Sequence, residues 1–141
     1  LRALDDGMLW LALALLGTWL CDSGAYFVGI RYGKHRFFPS ISPKKTWEGA
    51  IGGLVVGLLA VVPLAYWLLA LPLPWGVLLG VALVLAATFG DLAESVIKRQ
   101  VGVKDSGNLI PGHGGALDRI DSLLFVVPVV YLFALVIAGL A

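Results

Sequence analysis

The sequence predicts an all-α, polytopic membrane protein: a single membrane domain over residues 1–141 with about four transmembrane helices and two cytoplasmic loops. Three observations carry this. Hydrophobic residues make up 60% of the chain, charged residues only 13%, and mean hydropathy is +0.94, far from the soluble average. Apolar runs recur at about 8–30, 50–71, 75–97 and 121–141, each about 30 Å or more as a helix and so able to cross the bilayer core. Nearly all Lys and Arg fall in the two long intervals between runs one and two and between runs three and four. By the positive-inside rule both intervals face the cytoplasm, and the Leu71 to Trp75 turn lies outside.

The first run carries Asp22, about 21 Å along the helix from Met8. An intramembrane carboxylate is costly and normally faces the protein interior or a wet cavity, which makes Asp22 a functional candidate. The alternative is a helix that stops at Cys21, with Asp22 capping a second short one. Cys21 is the sole cysteine, so no intramolecular disulfide can form. The chain opens on Leu1 and shows no signal peptide, and we expect it to be part of a longer protein.

Arg31 to Glu48 is a basic loop. Ser42-Pro43 reads as an N-cap followed by proline at the first helical position, which places Lys44 and Lys45 in the first turn, where the helix dipole disfavours cations. A phosphate bound there would relieve that conflict, although the same bases also satisfy the positive-inside rule. In the second run Gly49, Gly53 and Gly57 share one helical face, a small-xxx-small pattern for close packing. Such a face serves packing within one chain or a homodimer equally well. Pro63 is a candidate kink, and Pro72 and Pro74 mark the turn into the third run.

The chemistry concentrates in the long polar interval from Gly90 to Ser122. Asp91 and Glu94 are three apart at the end of one helix, and Asp118 and Asp121 are three apart at the start of the next, so each pair shares a face. Four carboxylates brought together need a counter-charge, and hard oxygen ligands suit Mg²⁺ held jointly with phosphates. Between and beside them Lys98, Arg99, Lys104, His113 and Arg119 are phosphate-binding types, and Gly107, Gly112, Gly114 and Gly115 permit close backbone approach. For His113 we favour phosphate contact over metal ligation. Ser106 and Asn108 are left as turn residues.

Ser95 to Asp121, with Lys98-Arg99, Lys104-Asp105-Ser106-Gly107, Pro111-Gly112-His113-Gly114-Gly115 and Leu117-Asp118-Arg119-Ile120-Asp121, resembles the signature of the CDP-diacylglycerol synthase (phosphatidate cytidylyltransferase) family. Asp22-Ser23-Gly24-Ala25-Tyr26 and Ser42-Pro43-Lys44-Lys45-Thr46-Trp47-Glu48-Gly49 resemble further segments of it. The resemblance implies a chain about twice this length, of which this would be the C-terminal part. It also implies that the phosphate of phosphatidic acid attacks the α-phosphorus of CTP, leaving CDP-diacylglycerol and pyrophosphate in a step of phospholipid biosynthesis.

On that reading Asp91 and Asp118 are the leading metal ligands, assisted by Asp121 and Glu94, and the cofactor is Mg²⁺, with a second cation left open. Lys98, Arg99, Lys104, His113 and Arg119 hold phosphates, while Asp22, Ser42, Lys44, Lys45 and Lys104 complete the nucleotide or headgroup site. The expected partners are CTP, phosphatidic acid and the bilayer, without nucleic acid. The expected location is a bacterial inner membrane with the site facing the cytoplasm. Two alternatives are a CTP-dependent polyprenol or dolichol kinase, which would leave CDP, and a transporter, for which intramembrane acids are also expected.

Overall fold

The computed structural model describes residues 6–40, 42–100 and 117–140, apart from the side chains at 44, 117–121 and 140. Four helices dominate: α1 (Gly7–Tyr32), α2 (Trp47–Leu69), α3 (Leu73–Gln100) and α4 (Leu117–Leu140). Each contains a stretch long and apolar enough to cross a membrane, as its predominance of Leu, Val, Ile and Ala requires. Asp22 lies within the continuous α1, so the helix does not stop at Cys21. α2 likewise continues through Pro63. It ends at Ala70, which adopts the left-handed conformation (φ 50°), and Pro72 precedes the start of α3.

One element departs from the all-helical expectation. Between α1 and α2 stands an antiparallel hairpin, β1 (Arg36–Phe38) and β2 (Ser42–Thr46). Ser42 and Pro43 therefore do not begin a helix, and Lys44 and Lys45 do not occupy a helical first turn. The cap is Thr46, whose side-chain oxygen accepts the Gly49 N–H at 3.1 Å. The reason is electrostatic and steric together. Capping at Thr46 puts Glu48 rather than two lysines in the first turn, where the dipole favours an acid. It also leaves the preceding chain extended, so that Phe37 packs edge-on against Trp47 at a centroid distance of 4.3 Å.

The helices pack through the glycines. A Cβ at Gly52 would lie 2.5 Å from Val28 Cβ, at Gly24 2.5 Å from Val56 Cβ, and at Gly53 3.0 Å from Ala25 Cβ. The α1–α2 contact is thus closer than any larger residue permits, and the face read from Gly49, Gly53 and Gly57 is filled from within the chain, chiefly by α1. Leu13, Val61, Leu79, Leu83, Val126 and Val130 form the fully buried centre, one or two from each helix. Outward-facing Leu59, Trp67, Phe89 and Leu132 are more than half exposed, as lipid-facing residues should be. Because consecutive helices are antiparallel, α1 and α3 end, and α2 and α4 begin, on one side of the bundle. The hairpin lies on that side.

Candidate active site

The site is assembled where the hairpin meets α3. The pairs Arg36↔Thr46 and Phe38↔Ser42 leave Phe37 alone on β1 opposite Pro43, Lys44 and Lys45 on β2, an irregularity in the ladder. Proline tolerates such a place because its missing N–H has no ladder partner to satisfy. Bulges of this kind redirect side chains. Here Lys45 extends to α3, where Nζ lies 2.5 Å from Asp91 Oδ2. The carboxylate is 40% exposed and the ammonium 24%, so the pair is open enough to be exchanged for a ligand.

One turn further along α3, Glu94 is buried and its Oε2 lies 3.2 Å from Lys98 Nζ. The two carboxylates of α3 are thus each matched by a lysine, one from β2 and one from the same helix. Arg99 is exposed at the end of α3. Ser42 is half-buried in β2 opposite Phe38, while Lys44 contributes its backbone to the irregular stretch.

α4 joins the site through Gly90. A Cβ there would sit 3.2 Å from Ser122 Cα and 3.1 Å from Phe125 Cδ2, so α3 and α4 touch backbone to backbone one residue before Asp91. Asp118 is one helical turn before Ser122 and Asp121 adjoins it. The backbone therefore carries both acids to the helix end beside Asp91 and Glu94. The side chains of Asp118, Arg119 and Asp121 lie outside the described residues, as do Lys104 and His113 entirely.

Asp22 stands apart. Gly57 faces both Cys21 and Val84, which sets Asp22 at the level of Val84, seven residues or about 10 Å below Asp91. Asp22 is exposed.

Glu48 belongs to the region although no role was read for it from the sequence. Its carboxylate accepts the Lys34 N–H at 3.1 Å and the His35 N–H at 3.2 Å, and meets His35 Nδ1 at 2.6 Å. Only its position in the first turn of α2 could have signalled this, because two of its three partners are main-chain groups.

Among the described residues no three His, Cys, Asp or Glu side chains converge on a point that could hold a metal ion. Asp91 and Glu94 nevertheless offer the hard carboxylate oxygens that Mg²⁺ takes. The lysine on each marks a place where positive charge is already favoured. The donor chemistry fits a divalent cation, with further acids standing on the adjoining turn of α4.

Residues 1–137 match the model of the cytidylyltransferase family. The phosphatidate cytidylyltransferase of Bacillus subtilis (strain 168) is 49% identical over 135 residues, covering 93% of this chain and 49% of the relative. That of Staphylococcus aureus (strain COL) is 48% identical over 126 residues, covering 88% and 48%. That of Mycobacterium bovis (strain ATCC BAA-935 / AF2122/97) is 46% identical over 121 residues, covering 85% and 39%. The chain spans about half the length of the curated relatives it matches, or somewhat less.

Proposed function

The chain belongs to the cytidylyltransferase family, and we propose that it carries the catalytic part of a phosphatidate cytidylyltransferase that condenses CTP with phosphatidic acid. The observation that carries this reading is the pairing of Lys45 with Asp91 at one end of a bundle of membrane-spanning helices. It supports a site in which a cation able to bind phosphate and a carboxylate able to bind a metal would stand together at the bilayer boundary. There a lipid can keep its acyl chains in the membrane while its headgroup meets a water-soluble nucleotide.

In the proposed reaction a phosphate oxygen of phosphatidic acid bonds to the α-phosphorus of CTP, and the bond from that phosphorus to the bridging oxygen of pyrophosphate breaks. The attacking oxygen is already ionised, so no general base is required. Asp91 and Glu94, with Asp118 and Asp121, would hold Mg²⁺, which supplies charge neutralisation on the phosphates. Lys45, Lys98 and Arg99, with Lys44, Lys104, His113 and Arg119, would orient the triphosphate and the headgroup and balance the charge that grows on pyrophosphate as it leaves. Ser42 would add a hydroxyl donor, and Asp22 would act deeper, along the lipid side of the site. We place the site on the cytoplasmic face of a bacterial inner membrane, where CTP is available. If the enzyme is a homodimer, its contact lies elsewhere than the glycine face of α2, which is filled within the chain.

The test is a product assay on the protein at its full natural length in detergent, with Mg²⁺, CTP labelled in the cytosine and phosphatidic acid, and a parallel tube containing dolichol. Label entering lipid with release of pyrophosphate is the expected result. Soluble CDP formed only with dolichol would replace the reading by a kinase, and no turnover in either tube would point to transport.

A further inference from the structure

Glu48 sits at the junction of three elements, and its hydrogen bonds among the described residues go to Lys34 and His35 rather than to a group assigned to phosphate or metal. Its carboxylate receives the main-chain N–H groups of Lys34 and His35, the two residues that lead from α1 into β1, and meets the His35 ring. In the opposite direction the Trp47 N–H donates to the His35 carbonyl at 3.0 Å. Next to it Thr46 caps α2 and fills the space over Gly33, where a Cβ would come within 2.8 Å of the threonine side chain. These bonds continue the hairpin ladder beyond Arg36↔Thr46 and fasten it to the first turn of α2.

Lys45 depends on that fastening. It is the last residue of the irregular stretch of β2 and adjoins Thr46, so its reach to Asp91 follows where the hairpin is held. The β1–β2 pairing alone cannot fix it, because two ladder pairs with a slip between them define register weakly.

We propose that Glu48 is a positioning residue: it locks the hairpin onto α2 and thereby holds Lys45 over Asp91. The consequence for turnover rests on the cytidylyltransferase reading; the mechanical part does not.

Two measurements on the full-length protein separate them. In a Cys21→Ala background, spin labels at the exposed positions Phe38 and Ile97 report the distance from the hairpin to the end of α3 by pulsed electron paramagnetic resonance. Glu48→Gln offers one acceptor oxygen and an NH₂ that opposes the backbone donors, so the distance distribution is expected to broaden. His35→Asn keeps both main-chain bonds and is expected to leave it narrow. An unchanged distribution in Glu48→Gln overturns the proposal whatever the activity.

The second measurement is a double-mutant cycle in cytidylyl transfer. Glu48→Gln is expected to lower kcat/KM about tenfold, the size of one charged hydrogen bond, and to change it less than about twofold in a Lys45→Met background. Multiplicative losses would mean that Glu48 acts independently of Lys45, and would overturn the proposal. A native protein that gives the narrow distance but no cytidylyl transfer would instead overturn the functional reading.

Discussion

Lys45 Nζ and Asp91 Oδ2, from residues 46 positions apart in sequence, meet at 2.5 Å and join the hairpin to α3. The ammonium holds a carboxylate oxygen that the proposed function assigns to a metal ion. On the proposed reading lysine and divalent cation would compete for one oxygen, and a bound cation would leave Lys45 free to turn to phosphate.

Replacing Lys45 by Met should thus have two opposite effects. Mg²⁺ binding without nucleotide should tighten, since no internal cation must be displaced, and calorimetric titration would measure it. Turnover should fall about a hundredfold, the usual cost of removing one donor from developing negative charge. Weaker Mg²⁺ binding in Lys45→Met would show that the lysine does not compete for the carboxylate.

Asp118→Asn tests the acids carried by α4. Ser122 lies against Gly90 and Asp118 is one turn before it in α4, and the substitution keeps shape while removing charge. Pyrophosphate release should be abolished while helical content and gel-filtration behaviour stay unchanged. Near-normal release would remove Asp118 as a metal ligand.

The spans were legible because stretches of about twenty predominantly apolar residues leave the backbone no alternative in lipid. The glycine face of α2 was legible because a four-residue spacing specifies one side of a helix. The hairpin was not. Ser42-Pro43 carries the same local signal as a helix start, and the choice of Thr46 as cap depends on Phe37 meeting Trp47 and on the charge of the first turn. The depth of Asp22 was hidden too, since counting residues along a span does not say how neighbouring helices are staggered. Asp91 and Glu94 could be picked out from composition and spacing, but the lysine that reaches Asp91 could be named only as a phosphate binder. Glu48 was passed over because main-chain donors leave no mark in a sequence.

Gly52→Ala should loosen the α1–α2 contact. The added methyl would meet Val28 Cβ at 2.5 Å, a branch point next to the backbone that cannot rotate away. Overpacking of this kind costs about 1–3 kcal/mol, measurable as a lowered thermal midpoint in detergent. Val28→Ala removes Cγ2 at 2.5 Å and Cγ1 at 2.8 Å but keeps Cβ, so it should recover part of the loss, and failure of that rescue would show that these two methyls carry none of the strain.

Gly90→Ala separates geometry from stability. Its methyl would stand 3.2 Å from Ser122 Cα and 3.1 Å from Phe125 Cδ2, so the two backbones must part by a few tenths of an ångström immediately beside Asp91. At Gly80, by contrast, the nearest atom is the far end of Leu58, which can swing aside. Both variants should remain folded. A displacement of about 1 Å costs about a hundredfold in a positioned reaction, and the smaller shift at Gly90 should lower kcat about tenfold. Gly80→Ala, whose neighbour can yield, should leave kcat unchanged. Equal kcat in the two variants would break the link between the α3–α4 contact and the chemistry at Asp91.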